Sequence, residues 1–202
     1  MSDWLNATAR RVPTAVLYLA GALPAIWLLV AALRDNLGPD PVKALEHGFG
    51  LWSLRFLLAS LCVTPLMRLR IRLLKFRRAL GLLGFGYAVL HVATWLMLDM
   101  GLRWGQIADD LTRRPYIILG AVALVLLIPL AATSSNGAIR RLGAASWNRL
   151  HRLAYPAILG GAIHFVMIGK VWTGESLAYL AIALGLLALR LPRLFIGERI
   201  AG

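Results

Sequence analysis

Six long apolar blocks, joined by short polar segments, are the strongest constraint on what this chain can fold into. A membrane-spanning helix needs about 20 mostly apolar residues, and a helix can satisfy its own backbone hydrogen bonds in lipid. The predicted spans are residues 12–33, 48–67, 79–98, 115–133, 153–169 and 176–191. We therefore expect an all-α membrane protein, a six-transmembrane-helix bundle in which residues 1–202 form a single domain.

The composition excludes several other classes of protein. Hydrophobic residues make up 59% of the chain and charged residues only 15%, whereas charged residues are about 25% of a typical soluble domain. A soluble enzyme and a disordered chain are both excluded by this balance. Cys62 is the single cysteine, so the chain cannot be an internal disulfide scaffold.

The basic residues follow the predicted topology. Most Lys and Arg residues lie in the N-terminus, the loop after the second span, the loop after the fourth span and the tail. The positive-inside rule then places both termini in the cytoplasm. The net charge of +13 is therefore interpreted as an orientation signal and not as a nucleic-acid site. The basic loop at 68–78 is also expected to attract anionic membrane lipid or an acidic partner. The first block is expected to remain as an uncleaved span, since it is longer than a signal peptide core.

Two histidines lie within predicted spans, where an ionisable side chain is costly and indicates function. His91 lies 12 residues from the cytoplasmic start of the third span, and His164 lies 11 residues from that of the fifth. At 1.5 Å per residue both are about 17–18 Å deep. Two neutral imidazoles at one depth can bind an iron between them, and haem is the expected cofactor because its porphyrin fills an apolar gap.

Three glycines near these histidines allow two interpretations. Gly84 precedes His91 by seven residues, and Gly160 and Gly161 precede His164 by four and three. Their missing side chains can make room for a porphyrin, or they can allow close packing between helices. Each histidine, taken alone, can also serve only as an inter-helix hydrogen-bonding group.

The other ionisable candidates lie near the predicted membrane boundaries. His151 precedes His164 by 13 residues, too far to share one iron, and Arg77 and Arg78 occupy the positions where a matching ligand would stand. His151 can ligate a second haem, or it can join these arginines in holding haem propionates or a flavin phosphate. Arg55 can pair with propionates or extend to the headgroups, and His47 is expected to be interfacial.

Two sequence runs resemble a known family. They are RRALG at 77–81, followed by Tyr87 and His91, and WNRLHRLAY at 147–155, followed by His164. Together they resemble the ferric-reductase-like transmembrane domain, and within it the YedZ/MsrQ type of haem-binding membrane subunit. The resemblance covers nearly the whole of residues 1–202, with no fused flavin domain.

This resemblance implies an electron-transfer subunit that is not itself catalytic. Such a subunit lies in the bacterial inner membrane and contains haem b, either one or two, with FMN as a further cofactor. It implies a cytoplasmic flavin reductase as electron donor and a periplasmic molybdopterin subunit, which reduces methionine sulfoxide in oxidised proteins, as acceptor. The larger reductases of this superfamily carry two histidines on each of two helices, and this chain lacks one, at Arg77 and Arg78.

Two other functions fit the same sequence. A small proton-coupled membrane carrier could use the membrane histidines as proton relays. Such carriers more often show carboxylates within the spans and inverted repeats, which we do not find in the sequence. A membrane anchor without a cofactor would leave the matched depth of His91 and His164 unexplained.

Overall fold

The computed structural model describes residues 2–169 and 171–190, and that part of the chain is helical without a β-strand. Two short irregular turns are included: a π-helical turn, Trp95–Asp99, that continues one long helix, and a 3-10 turn, His151–Leu153, between two others. The described residues form α1 Ser2–Arg11, α2 Thr14–Leu33, α3 Pro41–Arg68, α4 Leu74–Thr94, α5 Trp104–Arg113, α6 Pro115–Ala132, α7 Asn136–Leu142, α8 Ala144–Leu150, α9 Ala154–Ile168 and α10 Gly174–Ala188.

Four of these helices are long and apolar enough to cross a membrane: α2, α3, α6, and α4 with its π-helical turn. Helices α9 and α10 have 15 residues each, about 22 Å of helix, which is less than the roughly 30 Å of a bilayer core. The all-α membrane class is thus confirmed, whereas the count of six spans remains a prediction. The end of the predicted sixth span, Leu191, and the basic tail after it lie outside the described residues.

The helix bounds differ from the predicted spans mainly where a helix begins in polar sequence. Helix α3 starts at Pro41, seven residues before the predicted second span. Asp40 caps it by accepting a hydrogen bond from the Lys43 backbone nitrogen at 2.9 Å, and proline suits a first helical turn. The short helices α1, α5, α7 and α8 were not predicted, because a search for long apolar blocks does not detect short polar helices.

Among the described residues, the N-terminal segment, the loop after the second predicted span and the loop after the fourth gather at one end of the bundle. Asn6 of α1 donates from Nδ2 to the carbonyl oxygen of Arg70 at 2.8 Å and accepts from the backbone nitrogen of Arg72 at 2.7 Å. Arg78 donates to Oδ1 of Asn136 in α7 at 2.8 Å. We call this the basic end, formed by α1, residues 68–78 and residues 134–153. That it faces the cytoplasm remains a prediction.

Two helix pairs, α3 with α4 and α6 with α9, form most of the bundle. Leucines of α3 and α6 pack against small and branched residues of α9 to form the main core. At Gly84 of α4 an added Cβ would lie 2.6 Å from Cγ of Leu57 in α3. The close approach of α3 and α4 therefore requires a glycine at this position.

A tyrosine of α4 makes two hydrogen bonds to the backbone of α2. The Tyr87 hydroxyl donates to the carbonyl oxygen of Gly21 at 2.7 Å and accepts from the backbone nitrogen of Ala25 at 2.8 Å. These two groups flank Pro24, which has no N–H to give to the preceding turn. Tyr87 is 3% exposed, so its hydroxyl satisfies backbone groups of α2 in a buried position.

Candidate functional site

The structure brings together the two histidines that the sequence places at one depth. His91 projects from α4 and His164 from α9, and their ring centroids lie 6.1 Å apart with an interplanar angle of 76°. Each ring is therefore contributed by a different one of the two helix pairs. The histidines face each other across the boundary between those pairs.

The same type of hydrogen bond orients both imidazoles. Nδ1 of His91 lies 2.8 Å from the carbonyl oxygen of Glu46 in α3, and Nδ1 of His164 lies 2.6 Å from that of Tyr116 in α6. A carbonyl oxygen can only accept, so Nδ1 carries the proton in each ring and donates it. Each Nε2 then presents a lone pair, which is the state that binds a metal.

A glycine makes room for each ring on the neighbouring helix. An added Cβ at Gly50 would lie 3.1 Å from Nδ1 of His91, and one at Gly120 would lie 3.0 Å from Nδ1 of His164. Each glycine follows by four residues the residue whose carbonyl holds the ring, Glu46 or Tyr116. One helical turn therefore supplies both the acceptor and the space beside it.

The glycines that the sequence singled out have other neighbours. Gly84 faces Leu57, so the helix-packing interpretation applies to it. Gly160 makes ordinary contacts with Ala123 and Leu119 of α6, and Gly161 has open space where a Cβ would stand. Sequence reasoning missed Gly50 and Gly120 because they lie far from the histidines along the chain. A glycine within an otherwise apolar helix was the available signal.

The spacing of the rings fits a metal bound between them. An imidazole nitrogen binds a metal at about 2.0 Å and lies about 1.1 Å from its ring centre, so two rings on opposite sides of one metal have centres about 6 Å apart. The observed 6.1 Å agrees with that value. No group of three or more His, Cys, Asp or Glu side chains able to hold a metal occurs in the described residues. Two facing imidazoles suit an iron whose other ligands come from a porphyrin better than they suit a bare ion.

A separate cavity of about 230 Å³ lies at the basic end, around His151. We call it the His151 cavity. His151 stacks on the ring of Trp147 at 3.8 Å between centroids, and its Nδ1 lies 3.2 Å from the carbonyl oxygen of Trp147. Its Nε2 is buried and has no hydrogen-bond partner among the described residues. The residues that line the cavity are Thr64, Arg77, Trp147, Asn148, His151, Arg152, Tyr155 and Arg190.

The electrostatics of this cavity favour a neutral imidazole among cations. Burial lowers the pKa of His151, and the positive charge of Arg77 acts in the same direction. A histidine with a lowered pKa is uncharged at pH 7. If the contact with the Trp147 carbonyl holds the proton on Nδ1, Nε2 carries a lone pair that is buried beside the cavity without a partner among the described residues, and a metal or a proton donor could satisfy it. The arginines present N–H groups, which an anion could satisfy.

Arg190 is a member of this cavity that the sequence did not identify as functional. It stands near the end of the predicted sixth span, a position from which an arginine side chain commonly extends to the headgroups. Instead it is 6% exposed, and it donates from Nη2 to the carbonyl oxygen of Leu61 at 2.5 Å and from Nη1 to the Tyr155 hydroxyl at 3.3 Å. Its Nε is buried without a partner in the described part of the chain. The cavity therefore contains one unpaired donor and one unpaired acceptor.

The remaining candidates are not placed among the groups that hold or line either site. Arg78 is not among the residues that line the His151 cavity. Arg55 donates from Nε to the Tyr179 hydroxyl at 2.7 Å, lies 3.8 Å from a carboxylate oxygen of Glu175, and is therefore already paired with α10. His47 is exposed, as expected for an interfacial residue.

A comparison with known protein families assigns this chain to a class. The family model for the ferric reductase like transmembrane component matches residues 48–162, which is more than half of the chain. The matched range contains His91 and His151 and ends two residues before His164. This match shows that the chain is a ferric-reductase-like transmembrane protein.

Curated relatives narrow this class further. A protein of Brucella anthropi named protein-methionine-sulfoxide reductase heme-binding subunit MsrQ is 51% identical over 179 residues, covering 88% of this chain and 81% of the relative. The proteins of the same name from Brucella ovis and Brucella canis are each 49% identical over 185 residues, covering 91% of this chain and 84% of the relative. The chain belongs to the MsrQ family.

Proposed function

We propose that this chain is the haem b subunit of a protein-methionine-sulfoxide reductase system and carries electrons across the bacterial inner membrane. His91 and His164 are the proposed axial ligands of the haem iron. A haem bound there would supply a one-electron iron couple within the membrane. The facing imidazoles at 6.1 Å are the observation on which the proposal chiefly rests.

The protein's own groups would hold the ligands in the state the iron needs. The carbonyl oxygens of Glu46 and Tyr116 keep the protons on Nδ1, so both Nε2 atoms remain available without any proton being released. Gly50 and Gly120 keep each ring against its acceptor. The ligands are thus oriented before the cofactor binds, which lowers the entropy lost on binding.

For the basic end we propose that the His151 cavity binds an anionic group of a redox cofactor. Two cofactors would satisfy its unpaired atoms. A second haem could be ligated by Nε2 of His151 from one side, with its propionates on Arg77 and neighbouring arginines. FMN could place its phosphate on those arginines and a ring N–H on Nε2. Arg78 and Arg55 were further candidates from the sequence, but their contacts make them less suitable for this role.

The proposed path of electrons follows the proposed orientation. With both termini in the cytoplasm, the His151 cavity lies on the cytoplasmic side and the His91–His164 pair lies farther toward the periplasm. A cytoplasmic flavin reductase would then deliver electrons at the basic end, and a periplasmic molybdopterin subunit would receive them at the other. That partner would perform the reduction of methionine sulfoxide for protein repair, so this chain is proposed as an electron-transfer subunit. Residues 1–202 are proposed to form a single domain.

A haem assay on the purified full-length chain tests the central proposal. We expect the wild type to contain haem b by the pyridine haemochrome method, and we expect His91→Ala and His164→Ala each to lose most of it. His47→Ala is the matched control, because His47 is exposed, and it should keep the wild-type haem content. His151→Ala then distinguishes the two cofactors at the basic end. Loss of haem would indicate a second haem, and loss of FMN alone would indicate the flavin.

The same assay tests the alternatives. A colourless wild-type protein that moves protons with a solute in vesicles would support the carrier and contradict the proposal. A colourless protein without transport would leave the membrane anchor. Unchanged haem spectra in both the His91 and His164 variants would show that the ligands are wrongly assigned.

A further inference from the structure

A second cavity at the basic end is lined largely by arginine. It has a volume of about 480 Å³ and lies between α1 and the segment that joins α3 to α4. We call it the arginine cavity. Its lining residues are Asn6, Arg10, Met67, Arg70 and Arg72. None of these residues lines the His151 cavity, so the two cavities are separate.

The backbone around the arginine cavity is held in a fixed shape. The Asn6 side chain bonds to the carbonyl oxygen of Arg70 and to the backbone nitrogen of Arg72, at 2.8 and 2.7 Å, and Asn6 itself is only 9% exposed. Arg70 adopts a φ of +61°, which a residue with a side chain rarely adopts unless its surroundings impose it. Lys75 donates from Nζ to the carbonyl oxygen of Arg10 at 3.0 Å. These contacts fix the positions from which the three arginines project.

The charge of the cavity is uncompensated by the protein. No ion pair joins Arg10, Arg70 or Arg72 to an acidic side chain within residues 2–169 and 171–190. All three side chains are exposed. Guanidinium groups bind phosphate oxygens through paired hydrogen bonds, so a cavity with three of them is suited to a phosphate-bearing ligand.

An apolar side chain that lines the cavity indicates what else the ligand contains. Met67 is 44% exposed and lies in the last turn of α3, a helix long and apolar enough to cross the membrane. The cavity therefore lies where the hydrocarbon core meets the headgroup region. Basic pockets at this level of a membrane protein are suited to anionic lipid headgroups.

We propose that the arginine cavity binds the phosphate headgroup of an anionic phospholipid, with an acyl chain along Met67. Three guanidinium groups neutralise the phosphate, and the Met67 side chain covers the start of the acyl chain. The bound lipid would join α1 to the loop between α3 and α4 and so stabilise the basic end. This site is independent of the haem assignment.

Lipid titration of the full-length protein tests the site. The protein is held in a detergent-free nanodisc of zwitterionic phosphatidylcholine, or in a neutral micelle. Native mass spectrometry then counts the phosphatidylglycerol molecules bound per chain. We expect the variant R10Q/R70Q/R72Q to bind phosphatidylglycerol at least about 30-fold more weakly. The control R140Q/R141Q/R149Q removes the same charge from exposed arginines elsewhere at the basic end and should change the affinity less than about threefold.

Further measurements test whether the site is specific and whether its phosphate belongs to a lipid or to a soluble molecule. Asn6→Ala keeps every charge and removes the contacts that fix Arg70 and Arg72, and we expect about a fivefold loss of affinity. An equal loss of affinity in the two triple arginine variants, or no loss in Asn6→Ala, would contradict a specific site. Either result would show that phosphatidylglycerol binds through the diffuse positive charge of the basic end. Full competition by glycerol phosphate would show a soluble ligand and overturn the lipid assignment. Binding of an acidic protein but not of phosphatidylglycerol would overturn it as well.

Discussion

The two histidine sites differ in what stands opposite the imidazole. His91 and His164 face each other, and each donates Nδ1–H to a carbonyl of a neighbouring helix. His151 donates to Trp147, one turn earlier in its own chain segment, and shares its cavity with arginines such as Arg77. The ring state is the same in both places, with Nε2 free.

This comparison shows that the ring state alone does not define the cofactor. A second imidazole at about 6 Å makes a symmetric metal site. An arginine in the corresponding place makes a cavity that needs an anion. Of the two histidines on each of two helices that the larger reductases carry, the sequence has counterparts in His91, His164 and His151, and Arg77 and Arg78 stand where the fourth is expected.

The largest effect is expected from filling the space beside the paired rings. Gly50→Val or Gly120→Val would place atoms about 3 Å or less from the ring of His91 or His164. That ring is held by a hydrogen bond to a backbone carbonyl of the same neighbouring helix. Overpacking costs about 1–3 kcal/mol, so haem affinity should fall by about 5- to 150-fold. The haem content per chain, determined by the pyridine haemochrome method, measures this loss.

Gly185→Val is the control for this test, because an added Cβ at Gly185 in α10 meets nothing within 4 Å. It should leave the haem content close to that of the wild type. If the Gly50 and Gly120 variants also retain full haem, the proposed role of these glycines in making room for the paired rings is wrong.

A smaller effect is expected from a matched pair of arginines at the basic end. Arg77 lines the His151 cavity, whereas its neighbour Arg78 donates to Asn136. Loss of a charge-assisted hydrogen bond should weaken binding of the anionic cofactor about tenfold in Arg77→Gln. The change in Arg78→Gln should be much smaller. Titration of FMN by fluorescence, together with haem per chain, measures both, and equal behaviour of the two variants would contradict the assignment of Arg77.

The smallest effect is expected from salt. Raising the KCl concentration from about 0.05 to 0.5 M shortens the screening length from about 14 to 4 Å, so an anionic cofactor at the arginines should bind a few times more weakly. The haem of the His91–His164 pair should be retained unchanged, because neutral imidazoles hold its iron. Spectra and cofactor content recorded across this range would show whether only one of the two sites depends on salt.

The sequence predicted the features that depend on local pattern. Apolar blocks located the long helices, and counting residues from the span boundaries brought His91 and His164 to one depth. It could not predict features that depend on packing between distant segments. The carbonyls of Glu46 and Tyr116 carry no sequence signal, because every residue has one. Their role depends on which turn of α3 or α6 lies beside the ring.

The contacts of Arg190 also could not be predicted from the sequence, because they depend on packing between distant segments. An arginine near a helix end is ordinarily expected to reach the headgroups. Here the carbonyl of Leu61 and the hydroxyl of Tyr155 offer it acceptors within the bundle. Only the positions of α3 and α9 relative to α10 could have revealed that alternative.

The tyrosine that joins α4 to α2 has a consequence for the order in which the chain is assembled. Gly21 and Ala25 are synthesised more than 60 residues before Tyr87, which later bonds to both. In lipid a backbone group without a partner is costly. The Tyr87 hydroxyl stands between the Gly21 carbonyl and the Ala25 N–H, which are four residues apart in α2, next to the turn that Pro24 weakens. Assembly of α2 with α4 during synthesis is thus favoured, because α4 brings the hydroxyl that bonds both groups.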